Sequence, residues 1–234
     1  MMSANYFLAA GIILSSLSTP VFADGSSAGQ AKKQQSGFYG LLSIGLSDMN
    51  GTQWEKERSN ATNYEGDIST ESGFTGEVGA GYDFGDFRTD FTFEKSRVDL
   101  GGCTQETVSG AGKDCSTNSE NVETKSLMLN AYYDIPTNSK WSPYLGAGIG
   151  ITNYRVKNLK VAGTEYELSS KKTPLTYQLK AGVAYRIMEK TDVYTEGVYK
   201  MIDSFNTNTN SANNEFNIKD GSQWSAKLGL RYMF

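Results

Sequence analysis

The stretch Trp224-Ser225-Ala226-Lys227-Leu228-Gly229-Leu230-Arg231-Tyr232-Met233-Phe234 decides the fold. Trp224, Ala226, Leu228, Leu230, Tyr232 and Phe234 share one parity, while Ser225, Lys227, Gly229 and Arg231 share the other. Successive side chains of a β-strand point to opposite faces, so the first set makes an apolar face and the second a polar one.

Seven further runs of this kind precede it. The eight begin near Phe38, Gly73, Phe87, Val122, Trp141, Thr173, Thr191 and Gln223, at successive spacings of 35, 14, 35, 19, 32, 18 and 32 residues. The fourth alternates Leu127, Leu129, Ala131 and Tyr133 with Ser126, Met128, Asn130, Tyr132 and Asp134; the fifth alternates Leu145, Ala147, Ile149 and Ile151 with Gly146, Gly148 and Gly150. The sixth sets Leu175, Tyr177, Leu179, Ala181, Val183 and Tyr185 against Thr176, Gln178, Lys180, Gly182, Ala184 and Arg186. The seventh is weakest, with Thr195 and Gly197 among its outward residues and room for a bulge that shifts its register. Long and short spacings alternate throughout. Outer-membrane barrels have this asymmetry of short periplasmic turns and long outer loops. The predicted fold is all-β: an eight-stranded antiparallel up-and-down transmembrane β-barrel.

The apolar face belongs outside, against lipid. Its aromatics gather at both strand ends: Tyr82, Phe84, Phe87, Tyr133, Tyr185, Tyr232 and Phe234 at the short turns, and Phe74, Phe93, Tyr177, Tyr199 and Trp224 toward the long loops. That is the two-girdle pattern of membrane interfaces. The inward face then carries Glu77, Asp83, Arg88, Asp90, Glu94, Asp134, Lys180, Arg186, Glu196, Lys227 and Arg231. Six acids face five bases, so pairing can offset the cost of burial. The interior of an eight-stranded barrel is just wide enough for side chains to fill. The expectation is a closed, salt-bridged lumen, with Gly79, Gly81, Gly146, Gly148 and Gly150 leaving room for the long Arg and Lys side chains.

Composition agrees. The 234 residues are 38% apolar and 21% charged, with 25 Gly and no His. A barrel turned inside out tolerates so few apolar residues, because only alternate positions must meet lipid. The net charge of −4 speaks against nucleic acid as a partner. The missing imidazole removes Ser-His-Asp, Cys-His and His-ligated zinc chemistry. No catalytic, cofactor-binding or metal-binding constellation is expected. Residues 6–17 read as the apolar core of an export signal, with cleavage after Ala23. The predicted organisation is a signal peptide over 1–23, a short flexible periplasmic segment over 24–37 and the barrel over 38–234.

The run Ser142-Pro143-Tyr144-Leu145-Gly146-Ala147-Gly148-Ile149-Gly150 and the closing Leu228–Phe234 stretch resemble the small outer-membrane β-barrel family, which includes opacity-type surface proteins and OmpA- and OmpX-like barrels. The resemblance covers roughly Phe38 to Phe234. It implies a location in the outer membrane of a Gram-negative-type bacterium, outer-membrane lipids around the barrel, and assembly by the barrel-assembly machinery. It assigns the assembly signal to Leu230, Tyr232 and Phe234. No peptidoglycan-binding domain is expected after the final strand, unlike in full-length OmpA.

The four long loops, 49–72, 99–122, 155–172 and 201–222, carry net charges of −3, −3, +3 and −2. The third is basic through Arg155, Lys157, Lys160, Lys171 and Lys172, and reads as a solvated loop that could also meet anionic headgroups. The fourth is rich in Asn, Ser and Thr over Asn206–Asn214 and reads as flexible. Cys103 and Cys115 both fall in the second loop and are expected to form a disulfide outside the cytoplasm. The functional expectation is a monomeric, non-enzymatic barrel acting as a structural or adhesive surface protein, with an extracellular or host-surface ligand for its loops. The alternative is a narrow channel for ions or small solutes.

Overall fold

The computed structural model describes backbone for residues 36–49, 52–56, 64–70, 72–107, 121–161, 164–170, 173–203, 205–209, 216–218 and 221–234, all within one unit, Lys33–Phe234. The signal peptide, most of the 24–37 segment, Cys115, Lys171 and Lys172 lie outside these residues. The side chains of Cys103, Lys157 and Lys160 do as well, so the disulfide expectation cannot be placed on the structure.

Eight strands form the barrel: β1 (Gly37–Met49), β4 (Gly73–Asp83), β5 (Phe87–Thr107), β6 (Asn121–Asp134), β7 (Trp141–Val161), β9 (Leu175–Met188), β10 (Thr191–Ile202) and β13 (Gly221–Met233). Each pairs antiparallel with its sequence neighbour among the eight, and β1 pairs with β13 to close the ring. Phe234 N–H donates to Phe38 C=O at 3.0 Å, so the terminal residue belongs to the seam. Closure leaves no strand edge in lipid, where an unpaired backbone group has no water to bond.

Register fixes the barrel's shape. From Tyr39 the partners run Gly81, Asp90, Asn130, Gly148, Gln178, Lys200 and Gln223, and return to Met49, ten positions along β1. With ordinary strand rise and spacing, eight strands and this stagger give a tilt of about 40° and a backbone radius of about 8 Å. Each step to the next strand climbs about 3 Å toward the long loops. The weak seventh strand does carry an irregularity, between Thr191 and Asp192 in the pairing of β10 with β9.

Burial follows parity. Leu42, Ile44, Leu129, Leu145, Leu179, Leu228 and Leu230 are exposed on the outer surface, while Ser43, Thr92, Ser126, Asn130, Gln178 and Lys227 are buried. So extensive an apolar exterior marks a surface made for lipid. Aromatic pairs ring the short-turn end: Phe38–Tyr82, Phe87–Tyr133, Trp141–Tyr185 and Tyr232–Phe234. Tyr199–Trp224 marks the other end.

The long loops differ from their expected irregularity. β5 and β7 continue past the barrel to Thr107 and Val161, and five short strands join them: β2 (Thr52–Lys56), β3 (Tyr64–Thr70), β8 (Thr164–Ser170), β11 (Phe205–Thr209) and β12 (Phe216–Ile218). Their order is β5-β3-β2-β12-β11-β8-β7. All four long loops thus contribute to one crown, the second through the extension of β5. Part of the Asn-rich fourth loop, expected to be flexible, is strand β11 within it.

Candidate functional site

The lumen and the crown are the two places where this barrel concentrates chemistry. The lumen is layered. At the short-turn end Arg88 donates from Nε to both oxygens of Asp134, at 2.8 and 3.1 Å. Its guanidinium lies 4.0 Å from the Tyr132 ring centroid and 4.4 Å from that of Tyr144. Asp192 accepts from Arg186 Nε and from Arg231 Nη2, each at 2.7 Å. Asp83 caps the short turn by accepting from Gly85 N–H at 2.8 Å. Gly85 has φ +112°, a conformation that disfavours any side chain.

Asp90 is held by neutral donors. Tyr39 donates its hydroxyl at 3.0 Å and Asn130 its amide at 2.7 Å, while Gln178 donates to Asn130 Oδ1 at 2.5 Å. Above it runs a ladder of alternating charge, Lys200–Glu94–Lys227–Glu77–Lys180–Glu196. Glu94 contacts both Lys200 and Lys227. Glu77 meets Lys227 at 3.0 Å and Lys180 at 3.1 Å, and Lys180 meets Glu196 at 3.2 Å. Three acids and three bases sum to zero, and all are buried. Tyr144 completes the chain by donating to Glu196 at 3.0 Å.

A hydroxyl layer comes next. Ser47 and Ser96 are 2.7 Å apart, Ser126 and Thr152 are 2.8 Å apart, and Gln223 donates to Ser96 at 3.1 Å. Met49, Val98, Val122, Tyr154 and Ile202 then form an apolar cluster. By register these five lie within about 6 Å of one height, above the hydroxyls at the loop end. They cap the column.

The inward charges named from sequence line this interior, with Arg186 half-exposed at its end. Two partners were missed: Asp192, which joins Arg186 to Arg231, and Lys200, which ends the ladder. Both share the parity of Glu196, four positions away on β10, and that was the available signal. The glycines need correcting. The register sets Tyr39 opposite Gly81, Tyr132 opposite Gly146, Tyr144 opposite Gly182 and Tyr194 opposite Gly229. A Cβ on Gly146 would come within 2.5 Å of the Tyr132 ring, and one on Gly229 within 2.3 Å of the Tyr194 ring. Gly81, Gly146, Gly182 and Gly229 make room for tyrosine rings, two of which in turn carry Arg88, whereas Gly79, Gly148 and Gly150 lie against Thr92, Asn130 and Met128.

Leu230, Tyr232 and Phe234 lie exposed on the lipid face at the short-turn end. Arg155 is exposed on β7. Among the described residues no group of three or more His, Cys, Asp and Glu is placed to hold a metal.

Comparison with known proteins returns a model described as an outer membrane protein beta-barrel domain, matching residues 12–234. A Rickettsia conorii protein that carries the name adhesin is 30% identical over 171 residues, 68% of this chain and 65% of that protein. About a third of that relative therefore lies outside the match. Outer membrane protein PagN of Salmonella typhimurium is 25% identical over 183 residues, 70% of this chain and 74% of that protein. Two solved structures share the fold. Neisserial surface protein A has 20% identity and a TM-score of 0.50 over 86% of this chain and all of that one. OprG of Pseudomonas aeruginosa has 15% identity and a TM-score of 0.53 over 85% of this chain and 96% of that one.

Proposed function

The chain belongs to the outer membrane protein β-barrel domain family, and from that premise we propose that it is a non-enzymatic, non-conducting surface protein whose crown binds an extracellular or host-surface ligand. The barrel is the anchor, with outer-membrane lipids around it. Residues 1–23 serve as the cleaved export signal, and Leu230, Tyr232 and Phe234 are read by the assembly machinery.

One observation carries this reading. All four long loops, the second and third through the extensions of β5 and β7, are tied by backbone pairing into a single sheet. A built surface of this kind fixes the loops relative to one another and lowers the ordering cost of binding. The name of the Rickettsia relative points the same way. The inward carboxylates serve as partners of cations or neutral donors, which is a structural use of every inward acid that has been named. The apolar cap and neutral ladder oppose ion passage, because a permeating ion would lose its hydration without a compensating site.

The test has two arms. Non-adherent bacteria displaying the full chain should bind host cells or extracellular matrix. A variant with residues 205–218 replaced by a short turn should lose that binding while keeping normal surface level. Equal adhesion by both would sink the crown's role. In planar bilayers the full chain should give no stable unitary openings at low voltage; such openings would instead establish the channel alternative.

A further inference from the structure

Two buried groups in the lumen each keep a hydrogen-bonding atom unused. Arg88 donates from Nε to Asp134, and its guanidinium is held between the rings of Tyr132 and Tyr144. Glu196 accepts the Tyr144 hydroxyl at Oε2, 3.0 Å away, while its Oε1 stands 3.2 Å from Lys180 Nζ without accepting a hydrogen bond. Arg88 Nη2, a donor, and Glu196 Oε1, an acceptor, therefore have no hydrogen-bond partner among the described residues. Arg88 and Glu196 are 4 and 5% exposed, so bulk water does not satisfy them. Neither side chain is free to turn toward the other. Tyr144 fixes both, with its ring on Arg88 and its hydroxyl on Glu196.

Both residues line one cavity, where the arginine layer of the short-turn end meets the ladder. Its walls also include Glu77, Arg231, Tyr194 and Leu41, and every wall residue is buried. The cavity offers a water molecule about 10 Å³ of free volume, which is room for one. The walls select by charge. A cation would meet Arg88 and Arg231, and an anion would meet Glu77 and Glu196. A neutral molecule that both accepts and donates escapes both repulsions and satisfies the two unused atoms together. Leaving those atoms unbonded in a low-dielectric interior is costly.

We propose that this cavity is the binding site of a single structural water, which accepts from Arg88 Nη2 and donates to Glu196 Oε1. Tyr194, on the same wall, offers a third partner through its hydroxyl. A bridging water of this kind serves almost as well as a direct hydrogen bond. It joins two charge systems that otherwise meet through tyrosine rings. Asp134 and Arg88 become continuous with Glu196 and Lys180, and through them with the rest of the ladder. Because the walls are buried, the water leaves only when the barrel opens locally. The site does not depend on what the crown binds.

Magnetic relaxation dispersion of the water signal, on the full-length barrel in lipid, counts long-lived internal waters. Leu41→Phe, which sets a ring in the cavity, should lose one such water relative to the native chain. Leu41→Ile, of equal volume, should lose none. In the native chain, cross-relaxation from long-lived water to the Arg88 guanidinium protons should be present, and in Leu41→Phe it should be absent. If Leu41→Phe fails to fold, this signal in the native chain decides the matter alone. An unchanged water count in folded Leu41→Phe, an equal loss in Leu41→Ile, or no water signal at Arg88 would overturn the proposal. So would an anomalous bromide peak in the cavity of soaked crystals of the full chain, which would assign the site to an anion.

Discussion

Glu94 offers the sharpest test of the ion-pair ladder. Its carboxylate lies between Lys200 and Lys227 and is 1% exposed. Glu94→Gln keeps the shape and removes the charge. Lys227 retains Glu77 at 3.0 Å, but Lys200 is left with the Ser126 hydroxyl at 3.2 Å as its other named partner. The ladder changes from neutral to a net charge of +1 in a buried interior. Breaking a buried pair from one side costs about 3–5 kcal/mol, because the remaining ion stays desolvated. The double variant Glu94→Gln with Lys200→Met restores neutrality and replaces a buried ammonium by an apolar stem of similar length. It should recover at least half of the loss. Urea unfolding in lipid vesicles, followed by tryptophan emission, gives the free energies, and a double-mutant cycle isolates the coupling. A loss below about 1 kcal/mol for the single variant, or a double variant no more stable than the single, would refute the claim that charge balance holds the lumen.

Further outcomes follow from the same geometry. Leu228→Arg, near the middle of the apolar band and 54% exposed, should cost about 2–4 kcal/mol in vesicle unfolding, and a neutral result would contradict a lipid-facing Leu228. Deletion of Phe234 removes the seam hydrogen bond to Phe38 and the terminal aromatic of the proposed assembly signal. It should lower the amount of heat-modifiable barrel in outer-membrane fractions, and an unchanged yield would argue against that signal. Gly229→Val should destabilise the barrel by about 1–3 kcal/mol by displacing the Tyr194 ring, with rescue by Tyr194→Ala in the same background. If Cys103 and Cys115 are bridged, reductant should shift non-reducing gel mobility; identical migration together with two titratable thiols would exclude the bridge.

What was legible in the sequence was whatever depends on parity. The period of a strand is two with no remainder, so Leu228 and Lys227 are assigned to opposite faces without knowledge of any neighbour. The eight barrel strands and the inward charges came from that rule and from loop spacing. What depends on register was not legible. No local signal says that Gly146 meets Tyr132 or that Gly229 meets Tyr194, because each pair joins two strands whose offset is set by the ten-residue stagger of the whole barrel. The crown was missed for a related reason. Phe205–Thr209 and Phe216–Ile218 lie above the lipid band, where nothing forces apolar and polar residues to alternate, and their pairing with β8 and β2 joins separate loops. Asp192 and Lys200 were lost at the ends of β10, although parity with Glu196 includes them.

A lumen held by ion pairs also makes sense of how register is chosen. The lipid face tolerates shifts of two residues in any strand, since apolar positions then still meet lipid. Van der Waals contact with lipid is too uniform to single out one offset. The interior is not uniform. Sliding β13 by two residues against β10 would move Lys227 away from Glu94 and Glu77, and would bring a residue with a side chain against the Tyr194 ring in place of Gly229. The first error leaves buried charges unpaired and the second overpacks, and each costs a few kcal/mol. The neutral ladder and the glycine–tyrosine pairs therefore act as a lock on the ten-residue stagger. A variant with the six ladder charges replaced by apolar residues of similar volume should keep most of its stability yet populate more than one closed register. Disulfide trapping between Ser225 and Val198, which the native register sets side by side, reads that population. Full trapping between Cys residues at these two positions in the ladder-free barrel, to the native extent, would show that the lipid face and the glycines alone specify the register.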